Sequence, residues 1–369
     1  MQFFPIAQNR TGISHHFSDY LDLIRFGAAV AVFLRHVRSD TFGPWLWQIR
    51  GYGHTAVMAF FVLSGFVIAY TCGSGKHPDL RDYAVSRLAR LYSVIIPAIV
   101  LTIAIDFAGP HLYPDFARSV ASFDGASHAD APQNFLIGAA FLNELWFAHV
   151  PLGSDLPYWS IGYEFWYYVL FGLAVFLRGG LRIWLCLLAG LIIGPKILLY
   201  FPIWLLGVLV YVVQARITRN RTAGWALFAA SLGAFVAIQA SGLHRWDTIN
   251  EVSSHWPQEF DWYDFPAAAL LGLNMLGAAM ALNHPGAPSR LHGTIKYIAG
   301  ATFSLYLFHM PILDLMGAHA ASIGFRPTPL LSVMLYLGLF AVIFALAAVT
   351  ERKKHWWKKR IATLIRQPA

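Results

Sequence analysis

Leu21-Asp22-Leu23-Ile24-Arg25-Phe26-Gly27-Ala28-Ala29-Val30-Ala31-Val32-Phe33-Leu34-Arg35-His36-Val37 is the first long apolar run of the chain, and it carries Arg25 and His36 inside a stretch otherwise fit to cross a bilayer. The two lie eleven positions apart. At 3.6 residues per turn that is about three turns, so both project from one helix face, roughly 16 Å apart along the axis. Charge at bilayer depth costs roughly 2.5 to 3.5 kcal/mol or more, and it marks a substrate path, a proton path or a buried partner. Asp22, one turn before Arg25, is the simplest such partner.

The whole chain follows the same pattern. Of its 369 residues 57% are hydrophobic and only 12% charged, against roughly 25% charged in soluble domains. It reads as all-α, a polytopic transmembrane helix bundle forming one membrane-embedded domain over 1–369. Residues 1–19 form a cytoplasmic segment and 350–369 a basic cytoplasmic tail. The formal net charge of +8 does not point to nucleic acid, because the basic residues sit between apolar runs and in the tail, where the positive-inside rule accounts for them. The N-terminus lacks the layout of a signal peptide. The two cysteines, Cys72 and Cys186, suggest neither a disulfide framework nor a metal cluster.

Runs of about 20 apolar residues fall at Tyr20 to Val37, His54 to Cys72, Leu88 to Ala108, Trp159 to Leu177, Leu181 to Pro195, Ile197 to Val213, Ala223 to Ser241, Phe265 to Asn283, Tyr297 to Met316 and Pro329 to Val349. Charge decides against an eleventh, Asn134 to Phe147, which contains Asn143 and Glu144. With about ten spans and both termini cytoplasmic, every Lys/Arg-rich loop and the tail share one side. Two long loops carrying Asp115, Asp124, Asp130, Asp247, Glu251, Glu259 and Asp261 share the other. Asn134 to Phe147 then becomes a re-entrant or interfacial segment, tolerated where it lines a cavity.

Three further stretches carry chemistry. Arg87-Leu-Ala-Arg90 puts two guanidiniums on one helix face at i and i+3, a fork suited to a polyphosphate and equally a topology anchor. Trp159-Ser160-Ile-Gly-Tyr163-Glu164 opens an aromatic-rich span with a carboxylate inside it. Ser304-Leu-Tyr306-Leu-Phe-His309-Met-Pro311 places a histidine two residues before a helix-kinking proline. His309 with Asp314 also spells a His-x4-Asp pattern, but residues five apart on a straight helix lie about 140° apart, so the pattern carries no weight.

Together these pieces resemble the acyltransferase-3 family of integral-membrane O-acyltransferases, which modify polysaccharides, lipopolysaccharide and small glycosides. The opening helix resembles the family's Leu-Asp-x-x-Arg followed by arginine-ten-residues-histidine. Phe60-Phe61-Val-Leu-Ser64-Gly65-Phe66, the Arg87/Arg90 pair, Trp159-Ser160 with Glu164, the Ser304 to Pro311 motif and Glu351 match its later patterns in order. Phe26 and Leu23 replace glycines common in the opening, Arg35 stands where an aromatic often precedes the histidine, and no proline follows Glu351.

The resemblance implies acyl transfer from an acyl-CoA donor, most often acetyl-CoA, to a hydroxyl of a carbohydrate or glycoside acceptor, with no metal. His36 is the expected catalytic base or acyl carrier, and direct transfer and an acyl-histidine relay both stay open. Arg25 would stabilise donor phosphates or the oxyanion, Glu164 would orient His36, and Arg87 and Arg90 would hold the CoA phosphates. Asp22, Ser64, Trp159, Ser160, Tyr306 and His309 complete the expected substrate cavity. A bacterial inner membrane is the expected location, with a homo-oligomer or a glycan-assembly partner admitted. The outer loop from Leu243 to Asp264 interleaves aromatics with acids, as a sugar platform or as interfacial anchors. A proton-coupled transporter and a non-catalytic envelope-glycan assembly factor are the alternatives.

Overall fold

The computed structural model describes residues 12–43, 45, 51–114, 116, 132–242 and 261–366. The loop acids Asp115, Asp124, Asp130, Asp247, Glu251 and Glu259, and the aromatic platform up to residue 260, lie outside the described residues. What is described is helical: α1 (His15–His36), α2 (Ser39–Phe42), α3 (Gly53–Gly73), α4 (Leu80–Leu112), α5 (Pro132–Ala139), α6 (Trp159–Phe176), α7 (Gly179–Gln214), α8 (Arg221–Ser241), α9 (Asp264–Leu282), α10 (His292–Ala299), α11 (Thr302–Ser322), α12 (Pro329–Val349) and α13 (Lys354–Arg366). All ten apolar runs fall on these helices, as the sequence leads one to expect when lipid forces each segment to satisfy its own backbone.

Six helices, α3, α4, α7, α8, α9 and the α12–α13 stretch, are long and apolar enough to cross a membrane, and the pair α10–α11, bent by 45°, makes a seventh. The difference from ten has physical causes. α1 and α6 carry polar and charged residues that dilute their apolarity. α7 holds two of the expected runs in one element, broken at Gly194, whose φ of 77° leaves the helical region before Pro195. A Cβ at Gly190 would lie 3.9 Å from the Leu198 side chain, though eight residues on a straight helix rise about 12 Å. The break is therefore a sharp bend.

Two compact units form, neither contiguous in sequence: residues 1–28, 55–80 and 170–299 make unit 1, and residues 29–54, 81–169 and 300–369 make unit 2. Unit 1 is held by backbone-close crossings at small residues, the favoured mode where lipid supplies no hydrophobic drive. At the α3–α7 crossing a Cβ on Gly65 would sit 2.0 Å from the Trp204 carbonyl oxygen, and one on Gly207 would sit 1.9 Å from that of Val62. The indole N–H of Trp204 donates to Ser64 Oγ at 3.2 Å in the same crossing.

Unit 2 is arranged around α11, in which Thr302 to Pro311 are all buried. A helix apolar on every side has no solvent face to present and takes the centre. Phe33 packs edge-on against His309, Tyr336 and Phe340. The Glu351 carboxylate accepts from the Ser304 N–H at 3.0 Å and from its hydroxyl at 3.1 Å. An anion thus sits on the N-terminal turn of α11, where the helix dipole favours it.

The segment from Asn134 to Phe147 begins in the short α5 and continues as turns, so it does not span. Its carbonyls are answered by three aromatic donors: Tyr158 to Gly138 O at 2.9 Å, Tyr92 to Ala139 O at 3.0 Å and Trp166 to Phe141 O at 2.9 Å. Phe141 and Trp146 adopt φ of 59° and 55°, a conformation that costs a non-glycine residue and persists only where its surroundings enforce it.

Gly207→Val forces a β-branched side chain into the α3–α7 crossing and should lower stability by roughly 2 kcal/mol or more. Gly338→Ala, on an α12 position with nothing within 4 Å, should be neutral or slightly stabilising. Thermal unfolding of the purified variants in detergent checks both, and equal midpoints for the two would contradict the crossing.

Candidate active site

His36 ends α1 and His309 lies in the buried middle of α11; in unit 2 they meet. His36 Nδ1 is 3.1 Å from His309 Nε2, with ring centroids 5.2 Å apart. Each ring also reaches a carbonyl one turn back on its own helix: His36 Nδ1 lies 2.9 Å from Val32 O, and His309 Nδ1 lies 2.8 Å from Leu305 O.

These distances fix the protons. A carbonyl oxygen only accepts, so His309 Nδ1 carries the hydrogen, and in the neutral ring its Nε2 is the acceptor. His36 Nδ1 then faces two acceptors, Val32 O and His309 Nε2, so it is the donor. The lone pair of His36 is left on Nε2. That is the tautomer a general base or a nucleophile needs.

The other expected residues of unit 2 form the frame around α11. Tyr306 donates its hydroxyl to Pro157 O at 2.9 Å, so the Ser160 hydroxyl, 2.6 Å away, donates to the Tyr306 oxygen. This pins the start of α6 to α11 three residues before His309. Trp159 stacks on His54 with centroids 6.0 Å apart and meets Tyr163 edge-on. Glu164 accepts a short hydrogen bond from the Tyr168 hydroxyl one turn on. Arg90 lies in the field of Tyr168, Glu351 and Glu164 and over the Phe303 ring at 6.0 Å. Arg87 lies over the rings of Tyr83 and Tyr168. The structure thus gathers Arg87, Arg90 and Glu164 around Tyr168, and brings His36 against His309. The place of Tyr168 in this frame escaped the sequence reading, although it stands four residues after Glu164 and so on the same helix face.

Unit 1 holds the remaining expected residues. Arg25 pairs with Asp22 at 3.0 Å, and Lys296 reaches the other oxygen of Asp22 at 2.5 Å. One carboxylate between two cations leaves the group positive. Ser64 is the acceptor within the α3–α7 crossing. Among the described residues no group of three or more His, Cys, Asp or Glu is placed to hold a metal ion.

The acyltransferase-3 family model, an acyltransferase domain, matches residues 18–352, and the chain belongs to that family. The chain is similar to acyltransferase MdmB of Streptomyces mycarofaciens, 28% identical over 193 residues that make 48% of this chain and 46% of the relative. It is also similar to an O-acetyl transferase of Shigella phage Sf6, 25% identical over 171 residues, 43% of this chain and 46% of the relative. The chain spans about half the length of these curated relatives. No solved structure matches.

In the turns before α6, Asp155 is fully buried. Burial, with Asp106 beside it, pushes its carboxyl well above the usual carboxylate range. A folded-state value above the unfolded value of about 3.9 gives stability at low pH that is lost as pH rises through the folded value. Asp155→Asn removes that ionisation. It should unfold at a higher temperature than the wild type at neutral pH, with the gap closing as pH falls toward about 4. A less stable variant at neutral pH would show the carboxylate to be held ionised.

Proposed function

We propose that this acyltransferase-3 family member transfers an acyl group, acetyl from acetyl-CoA, to a hydroxyl of a sugar or glycan-type acceptor. The observation that carries this reading is the His36–His309 contact, which leaves the lone pair of His36 on Nε2. In the step proposed, His36 Nε2 takes the proton of the acceptor hydroxyl as its oxygen attacks the thioester carbonyl. The carbon–sulfur bond breaks, and the CoA thiolate leaves and recovers the proton from the His36 imidazolium. His309 shares the charge that develops on His36 through the Nδ1–H bond, in the way a hydrogen-bonded partner orients and stabilises an imidazolium.

Arg87 and Arg90 are assigned to the donor's phosphates. Both are cations near the N-terminal end of α4, where the positive-inside rule sets the cytoplasmic face. Tyr168, Glu164 and Glu351 are assigned to holding Arg90 in place. Arg25 is assigned to charge stabilisation on the strength of the sequence resemblance. On the ten-run reading, with both termini cytoplasmic, His36 is assigned to the opposite face, so that the proposed donor enters from one side and the proposed acceptor from the other. A bacterial inner membrane fits this arrangement, with a homo-oligomer or a glycan-assembly protein as the partner it admits. Family membership favours acyl transfer over a carrier or an assembly factor.

With radiolabelled acetyl-CoA and the purified chain, His36→Ala should lose turnover by 100-fold or more on the order expected for a lost general base, with the unfolding midpoint kept. Arg87→Ala/Arg90→Ala should weaken acetyl-CoA binding at least about tenfold, the loss of about 1.4 kcal/mol. His309→Ala should reduce turnover while leaving acetyl-CoA binding unchanged. Full activity in His36→Ala would end this reading.

A further inference from the structure

Past the histidine pair, toward the C-terminal ends of α4 and α11, unit 2 holds polar side chains that the transfer step does not use. Asp314 of α11 is fully buried, in the field of Arg38 and of Asp106. Arg38 follows His36 by two residues and forks onto Asp40 at 2.8 and 3.2 Å, keeping 20% of its side chain in solvent. Asp106, half-buried on α4, accepts the Ser154 N–H at 2.9 Å. It packs so closely on Gly153, φ +55°, that a Cβ there would lie 2.1 Å from its carboxylate. Beyond it, Ile105, Phe116 and Ala318 close the helix ends with an apolar wall.

Within this group two side chains are orphaned. Ser154 and Asp155 are 0% exposed, yet Ser154 Oγ and both carboxyl oxygens of Asp155 have no hydrogen-bond partner. Buried polar atoms in native proteins are satisfied almost without exception, and those that are not mark a place where a water, an ion or a ligand group belongs. The donor set narrows what that molecule is. Three carboxyl groups against one guanidinium make a poor anion site, and no metal-binding group of three is present among the described residues. A hydroxyl both donates and accepts. It can give its hydrogen to a carboxyl oxygen of Asp106 or Asp314 and take one from Ser154, from a neutral Asp155 or from the Arg38 guanidinium. Several such groups side by side match several hydroxyls on one ring.

We propose that Arg38, Asp106, Ser154, Asp155 and Asp314 form the acceptor site, a pocket for a hydroxyl-rich, carbohydrate-class molecule presented to the histidine pair. The acyl-transfer reading supplies the reason for the site and this inference rests on it. The five residues deepen that reading by naming what recognises the acceptor. The orphaned atoms belong to the turns before α6, so those turns would have to admit the ring for it to satisfy them.

The test uses the full chain and a panel of methyl hexopyranosides of gluco, galacto and manno configuration as probes. Saturation-transfer NMR reads glycoside binding without turnover, and release of CoA from acetyl-CoA reads transfer. The wild type should show saturation transfer from at least one glycoside, and that glycoside should accelerate CoA release. Asp155→Asn and Asp314→Asn should raise the glycoside KM at least tenfold while acetyl-CoA binding stays within twofold of the wild type. The unfolding midpoint of each variant, measured alongside, separates lost glycoside binding from misfolding. No saturation transfer from any glycoside on the wild type, or unchanged glycoside kinetics in both variants, overturns the acceptor site. Glycoside binding by a wild type that neither binds acetyl-CoA nor releases CoA would instead leave the site standing and remove the acyl-transfer reading.

Discussion

A backbone carbonyl can only accept a hydrogen bond, and in unit 2 two carbonyls set the protons of the His36–His309 pair. Leu305 O holds the hydrogen of His309 on Nδ1, His309 Nε2 becomes an acceptor, and His36 Nδ1 must donate to it and to Val32 O. The basic nitrogen of His36 follows from α-helical geometry rather than from a neighbouring carboxylate. A lipid-embedded protein gains from this, since a buried carboxylate would need its own partner at bilayer depth.

That arrangement holds only while α11 keeps its register and rotation, and the remaining motif residues do that work. Glu351 fastens its first turn through Ser304. Tyr306 and Ser160 fasten the next turn to the start of α6. Phe33 packs its ring against His309 from α1. Several polar residues of the sequence motifs thus bond to one another or to backbone around α11, as buried polar groups must.

The helices were legible because lipid imposes a single rule on every segment that crosses it, and each apolar run proved helical. Their number was harder, since α7 hides two runs across Gly194-Pro195, and α1 and α6 mix charge into apolar stretches. His36, Arg87, Arg90, Glu164 and His309 stood out as ionisable groups in apolar surroundings. Their partners did not: His36 and His309 are 273 positions apart, and no local pattern links residues so distant. Asp106 and Asp314 were open to the same argument that singled out Arg25, an ionisable group within an apolar run. In Asp314 the i, i+5 spacing drew attention to the wrong partner. The α3–α7 crossing shows the converse case. Gly65 and Gly207 read as ordinary glycines until the two backbones are seen to touch.

The state of the His36 ring tests this account most directly. Solid-state NMR of histidine-15N-labelled protein in lipid, with His36 assigned by difference against His36→Gln, reports which ring nitrogen carries the proton. The account predicts a protonated Nδ1 coupled to the His309 Nε2 and an unprotonated Nε2 at neutral pH. A His36 protonated on Nε2, with Nδ1 bare, would contradict it and remove the base from the proposed chemistry.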